Sequence, residues 1–289
     1  MSASLDLSII IVHTYEKHQL RQTLRGIRRA APQLNFEVIV VDNNPGEKLH
    51  QDVLKVEFPE TKYIPLDAIG GFGAGMNHGI RVAKGRYVLI FNPDIVVQPG
   101  SLEAMMKFMD ENPDVGLCGP RLENPDGTLQ YSCYRIPTAM LPVYRRTPLG
   151  KTHRGKQEAD HYLMKENSHD QTMDVDALIG AALFTRKEAL DEVGLFDEQF
   201  FMYYEDNDLC RRFWEKGHRV VYLPEAQMMH YHRRASADGG LFRQLTSRFT
   251  WIQIASFVKY WKKYREKENP RESHLITRSP WRNTTSSMK

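Results

Sequence analysis

A chain of 289 residues with 41% hydrophobic and 26% charged side chains holds one large core or two modest domains, and its pattern favours one domain with a tail. A net charge of +3 is too small to imply a nucleic-acid partner. Cys118, Cys133 and Cys210 form neither a disulfide framework nor a metal-binding spacing, which fits a reducing cytoplasm. The first residues lack the order of a signal peptide, and apolar runs such as Ala177–Phe184 fall short of the roughly 18 residues a membrane span needs, so a soluble body is expected.

Ser8–Val12 and Glu37–Val41 are short, β-branched and nearly all apolar, as buried parallel strands are, and a helical stretch from Gln19 to Arg29 joins them into a β-α-β unit. Lys62–Pro65 and Tyr87–Phe91 read as further strands, separated by a Gly-rich turn and a helix from Gly75 to Ala83. The alternation predicts a parallel α/β sheet. Ser101 caps a helix reaching Glu111, with Met105, Phe108 and Met109 turned inward. Past Gly119 the pattern loosens: Asn124–Gly127 is a strong turn, and the polar stretch over residues 145–172 reads as a mobile surface loop. Order resumes at Val175–Thr185, followed by helices over Lys187–Val193 and Asp208–Lys216 and a strand Arg219–Leu223 that stops at Pro224. From Glu266 onward the charged, Ser/Thr-rich end reads as disordered.

Several short patterns could carry chemistry. Phe200–Tyr204 is an aromatic run that ends in Glu205, Asp206 and Asp208, where a helix should begin. Apolar groups behind a carboxylate raise its pKa toward a general base's working range, yet acids at a helix start also serve simply as caps. Asp42 follows the second strand, where an open α/β sheet binds ligands, or else starts an Asx-turn. Gly70–Asn77 does not give G-x-G-x-x-G and does not follow the first strand, which rejects a nicotinamide fingerprint. Its glycines still permit a backbone to approach phosphate or sugar. Asn92-Pro93-Asp94 offers an amide and a carboxylate at a strand end, suited either to Mg²⁺ or Mn²⁺ on a diphosphate or to an ordinary turn. His230 and His232 fall on one side of a probable-strand spacing. H-E-x-x-H, C-x-x-C, G-x-S-x-G and a P-loop are missing, so neither a zinc hydrolase nor a serine hydrolase nor a P-loop NTPase is supported.

In order, these pieces resemble the family 2 inverting glycosyltransferases of the GT-A fold over about Leu7 to Tyr264, most closely the bacterial rhamnosyltransferase-like branch. Ser8–Val12 is similar to the opening strand, and Val40-Val41-Asp42-Asn43-Asn44 to the second. Gly71–Gly79 resembles the Gly-Phe-Gly-x-x-x-Asn-x-Gly element, and Phe91–Asp94 the Asn-Pro-Asp form of the metal motif. Gly180–Ala182, Gly194–Glu198 and Phe201–Leu209 resemble the acceptor region and the catalytic E-D motif. Two positions depart from the pattern: His13-Thr14-Tyr15 stands where many members carry Tyr-Asn, and Asn92 replaces a first Asp.

The resemblance implies a mixed, mostly parallel sheet flanked by helices over residues 1–235, with an amphipathic helical segment over 236–265 and a disordered tail over 266–289. It implies a nucleoside-diphosphate sugar (dTDP- or UDP-linked) held by His13, Tyr15, Asp42, Asn44, Gly71, Phe72, Gly73, Asn77 and Asn92, and a divalent cation, Mg²⁺ or Mn²⁺, on Asp94 and His230. Asp206 would be the general base with Glu205 beside it, and Gly180, Ala181 and Asp208 would meet the acceptor, a polyprenyl-diphosphate-linked saccharide. The basic, aromatic stretch Leu241–Arg265 would rest on an anionic membrane surface, making the protein peripheral at the inner face of the cell membrane, or else pack its apolar side on the sheet. A homodimer is compatible with the sequence.

Overall fold

Every residue of β1 (Leu7–His13) is buried, because a parallel strand with helices on both faces has no solvent side. In the computed structural model, which describes residues 5–15, 17–30, 33–231 and 247–278, β1 lies between two parallel neighbours. On one side is β2 (Phe36–Asp42), with His13 opposite Asp42. On the other is β4 (Tyr87–Phe91), with Ile11 opposite Phe91. β3 (Lys62–Pro65) pairs in parallel with β2, reached through a π-turn at His50–Leu54 and the short α2 (Lys55–Glu57).

Side chains alternate along each strand, so the two faces of the sheet build two cores. Ile9 and Ile11 pack with Leu20, Leu24 and Ile27 of α1 (Lys17–Ala30). Ile10 and Val12 face the other way, onto Met76 and Ile80 of α3 (Phe72–Val82).

The second half mixes directions. After β5 (Ile95–Val97) and α4 (Ser101–Glu111), β6 (Val115–Glu123) runs parallel to β12 (Arg219–His230), and β11 (Ala182–Arg186) is antiparallel between β4 and β6. β6 and β12 thus run the same way as β1 and β4, and the strands between and beside them are reversed. The resulting order is β3-β2-β1-β4-β11-β6-β12-β5, with β7 (Leu129–Gln130) and β9 (Met173–Asp174) added at the side and β8 (Cys133–Tyr134) paired with β10 (Ala177–Leu178) in a small second sheet. This is the mixed, mostly parallel sheet expected.

Three elements differ from the sequence reading. The stretch read as a loop contains α5 (Leu141–Arg146), a 3-10 turn at Pro148–Lys151 and α6 (His153–Tyr162). Its polarity hid two caps: Thr147 accepts from the Leu149 amide at 3.3 Å and Thr152 from the Gly155 amide at 3.1 Å. The strand expected to stop at Pro224 continues to His230, and a register shift between Leu223 and Gln227 absorbs the proline. After α7 (Lys187–Val193), the helix expected from Asp208 begins three residues earlier, as α8 (Glu205–Glu215), so all three carboxylates fall in its first turn.

At the C-terminal end, α9 (Arg248–Tyr264) and α10 (Pro270–Arg278) are helical, and α10 occupies part of the stretch read as disordered. His232, residues 236–246 (including Phe242, Arg243 and Leu245) and residues 279–289 lie outside the described residues. Among the described residues no helix is long and apolar enough to cross a membrane.

Candidate active site

A cleft of about 700 Å³ opens past the carboxyl ends of β1 and β4, the place where an open α/β sheet binds ligands. It brings together Tyr15, Phe72, Asn92, Asp94, Gly180, Ala181, Glu205, Asp206 and His230 from across the chain. His13, Asp42, Asn44, Gly71, Gly73, Asn77 and Asp208 stand outside its lining.

Asp206 projects from the first turn of α8 into this cleft. Its Oδ2 accepts from the Gly180 amide at 2.8 Å, and its Oδ1 from the Asn207 amide at 2.8 Å and Asn207 Nδ2 at 2.9 Å. Those bonds favour the ionised form, but burial outweighs them and pushes the carboxyl above the ordinary aspartate range. Glu205 is buried beside it, and its carboxyl is pushed well up by burial first and by the Asp206 charge second. Burial thus opposes charging both carboxyls at once, and Asp206, which accepts three hydrogen bonds, is the one of the pair whose ionised form is better supported.

The loop before α8 is held under strain. Tyr203 and Tyr204 have φ of 69° and 67°, left-handed conformations that cost on the order of 1–3 kcal/mol for each non-glycine residue. Contacts from elsewhere over-determine them. Tyr204 packs its ring 5.5 Å from Phe257 and 5.6 Å from Tyr260 of α9, while Ser256 Oγ donates to the Met202 carbonyl at 2.8 Å. Burial pushes the Tyr204 phenol up to about 12.

The predicted nucleotide residues divide into two groups. Tyr15, more than half exposed, lines the cleft with Thr14 and Asn43. Asp42 does not reach it: its Oδ2 accepts from Tyr63 at 2.8 Å and its Oδ1 from the Asn44 amide at 3.0 Å, the Asx-turn alternative. His13 is fully buried at the end of β1. The neighbour Asn43, which the sequence reading passed over, exchanges bonds with Gly70 at 2.7 Å and 3.0 Å and so fixes the Gly-rich loop to the strand end. Motif position alone gives no sign of which of two adjacent residues turns outward.

The glycines at the start of α3 and within it allow close packing against protein. A Cβ on Gly71 would lie 2.4 Å from the Phe201 carbonyl oxygen, one on Gly73 2.8 Å from Phe196 Cβ and one on Gly79 2.3 Å from Ile10 Cγ2. Asn77 is likewise a clamp, donating to the Phe196 carbonyl at 2.9 Å and accepting from the Phe196 amide at 2.9 Å. Asp208, predicted at the acceptor, is fully buried and bonded to Arg212 at 2.8 Å, Lys263 at 2.6 Å and Tyr264 at 2.7 Å. It fastens α9 to α8 from behind.

Asp94 and His230 do meet. Asp94 Oδ1 lies 3.3 Å from His230 Nε2, and His230 Nδ1 is 2.9 Å from Gln130 Oε1. Two ligand atoms about 3 Å apart match adjacent corners of an octahedron with bonds of about 2.1 Å. Among the described residues no group of three or more His, Cys, Asp or Glu could hold a metal alone, so a cation here needs oxygens from a diphosphate and water. The donor set fits a cation shared with substrate, and such a cation would neutralise charge on a departing diphosphate.

The remaining wall was not anticipated. Arg145 of α5 and Arg248, Phe249, Ile252 and Gln253 of α9 line the cleft beside the strained tyrosines. Scattered arginines in a polar stretch give no sequence signal until the fold brings them together.

The family model described as "Glycosyl transferase family 2" matches residues 8–194. The N-acetylglucosaminyl-diphospho-decaprenol L-rhamnosyltransferase of Mycobacterium tuberculosis is 26% identical over 245 residues, 78% of this chain and 76% of that protein. The rhamnosyltransferase WbbL of Escherichia coli K12 is 28% identical over 261 residues, 84% of this chain and 91% of that protein. Among solved structures, GalNAc-T7 with UDP, GalNAc and Mn²⁺ superposes with a TM-score of 0.61 at 16% identity, covering 81% of this chain and 45% of that one. TarS of S. aureus gives 0.52 at 15% identity, covering 79% and 37%. This chain spans less than half of either structure, and those two likenesses are of fold. The sheet order, the cleft at its carboxyl ends and the match over residues 8–194 agree: the chain belongs to glycosyltransferase family 2 and is a glycosyltransferase of the GT-A fold.

Proposed function

We propose that this glycosyltransferase inverts configuration as it moves rhamnose from dTDP-rhamnose to a hydroxyl of a polyprenyl-diphosphate-linked saccharide, in the biosynthesis of a cell-surface polysaccharide. The observation that carries the reading is Asp206: a carboxylate in the cleft, raised by burial, held by the Gly180 and Asn207 amides and facing the same space as Tyr15 and Asp94. The rhamnosyltransferase names of the two relatives support the sugar, and the decaprenol of one supports the carrier.

Asp206 takes the proton from the acceptor hydroxyl as that oxygen bonds to the anomeric carbon. The bond from that carbon to the diphosphate breaks on the opposite face, and a single displacement inverts the centre. The Gly180 amide keeps Asp206 aimed, and burial disfavours a second charge on Glu205 beside it. Asp94 and His230 fit a Mg²⁺ or Mn²⁺ ion on the donor diphosphate, and the protein works as a peripheral protein on the cytoplasmic face of the membrane. Assaying turnover of dTDP-, UDP- and GDP-sugars with a prenyl-diphosphate-linked N-acetylglucosamine acceptor tests this. Transfer from dTDP-rhamnose with inverted product is expected. Transfer from a UDP-sugar alone would overturn the rhamnose assignment, and binding of donors with no turnover of any would reduce the protein to a saccharide- or nucleotide-binding module.

A further inference from the structure

The arginines of this protein are mostly matched to acids: Arg86 with Asp110, Arg121 with Asp170, Arg135 with Glu166, Arg219 with Asp174 and Arg271 with Asp176. Arg145 and Arg248 are exceptions, because both are exposed, both line the cleft, and among the described residues no acid pairs with either. Unmatched guanidiniums in a concave site are anion receptors, and their planar forks suit phosphate oxygens.

The wall that carries them is built rather than incidental. Arg146 donates to Gln253 Oε1, which fastens α5 to α9 and so places Arg145 and Arg248 on one face. The Arg145 guanidinium lies 5.8 Å over the Tyr162 ring. Arg146 is pushed below its ordinary range by burial and then by the Arg145 charge, a repulsion that a bound anion would relieve. Tyr204 and Tyr162 each feel both the Arg145 cation and the Asp206 carboxylate, so the cationic wall stands next to the base. The same wall also carries apolar side chains, with Phe249 38% exposed and Ile252 lining the cleft.

We infer that Arg145 and Arg248 bind the diphosphate of the acceptor's prenyl carrier, with Phe249 and Ile252 receiving the first units of the chain. This rests on the lipid-linked acceptor proposed above. Cations beside an apolar wall match a prenyl diphosphate, in which charge and hydrocarbon are covalently adjacent. A free nucleotide would leave the hydrocarbon wall empty. The position also suits the reaction, since an acceptor hydroxyl must reach Asp206 while its diphosphate stays one or two sugars away.

The test is binding of farnesyl diphosphate to the full chain, by calorimetry with saturating dTDP so that the donor's diphosphate place is filled. Arg145→Ala and Arg248→Ala are each expected to weaken it about tenfold or more, the size of one charge-assisted hydrogen-bonded contact. Arg→Lys at either position should restore part of the loss, and the affinity for dTDP should stay within about twofold. Three results would overturn the assignment: farnesyl diphosphate bound equally by the variants, farnesyl diphosphate displaced by dTDP, or a loss confined to binding of phosphatidylglycerol vesicles. The last would give the arginines to lipid headgroups. Failure of the glycosyl-transfer reading is separately visible, as wild-type protein that binds farnesyl diphosphate in an arginine-dependent way yet transfers no sugar.

Discussion

The base role proposed for Asp206 requires its ionised form, and burial raises its carboxyl above the ordinary aspartate range. The acid limb of kcat/KM is therefore expected at a pH above the ordinary aspartate value of about 3.9, with activity lost as pH falls through it. Asp206→Asn removes the acceptor of the proton and should lower kcat by about 10²–10⁴-fold while the donor still binds; near-normal turnover would remove Asp206 from the role. Glu205 behaves oppositely in stability. Its folded carboxyl is pushed well above 4.5 by burial and by Asp206, so as pH rises past the unfolded value the unfolded chain ionises first and folding loses stability until the folded group also ionises. Glu205→Gln removes that loss, and its Tm should exceed the wild type's at pH 7 with little difference at pH 4. A lower Tm at pH 7 would contradict the buried, protonated Glu205. Among neighbouring acids the sequence singles out Asp206 by its place in a motif, and the structure sets that side chain in the cleft. It could not distinguish Asp208, because the partners that bury it, Lys263 and Tyr264, arrive from more than fifty residues away. The clamp made by Asn77 is hidden from the sequence for the same reason, its partner Phe196 lying 119 residues on.

Helix α3 shows how an element can position chemistry it does not perform. Gly71 caps its start, and the Phe72 amide bonds the Phe201 carbonyl at 2.9 Å, which ties the helix to the loop that carries Tyr203 and Tyr204. Gly71→Ala would set a Cβ 2.4 Å from that carbonyl oxygen and 2.8 Å from Phe201 Cα. Both are backbone atoms, so the loop has to move. About 1–3 kcal/mol of stability should be lost in denaturant unfolding, and kcat should fall more than the donor KM rises, since the displaced loop leads directly into Asp206. Unchanged kcat with lowered stability would separate the glycine from catalysis. The parallel strands and the helices between them were legible because burial on both faces writes itself as apolar β-branched runs. Helices α5 and α6 were not, because α5 follows Met140 without a side-chain cap, α6 is capped by a threonine in a polar stretch, and the residues they bury are few. β12 was cut short at Pro224 because a bulge that accommodates proline depends on the partner strand.

At the scale of the molecule, α9 joins the catalytic loop to whatever lies outside it. Its inward face buries Ser256, Tyr260 and Tyr264 against Phe200, Tyr204 and Asp208, so the apolar side meets the loop before α8, not the sheet as the simpler sequence reading had it. Eleven residues make just over three full turns, and Trp251, Val258 and Lys262 consequently share the opposite, exposed face. An aromatic ring, an aliphatic side chain and a cation spaced along one exposed face are the pattern of a helix lying on an anionic bilayer. Deleting residues 241–289 would test this poorly, because it also unclamps Tyr204 and Asp208. Lys262→Ala leaves that clamp intact and should weaken binding to phosphatidylglycerol vesicles about fivefold, from about 1 kcal/mol per basic side chain at such a surface. The difference should vanish at high salt, where the surface potential is screened. Turnover of a water-soluble acceptor should not change, because Lys262 points away from the cleft, whereas turnover of a prenyl-linked acceptor in vesicles should fall with binding. Flotation of wild type and variant to the same extent, with equal turnover in vesicles, would assign the exposed face of α9 to solvent and leave the acceptor to reach the cleft without help from the bilayer surface.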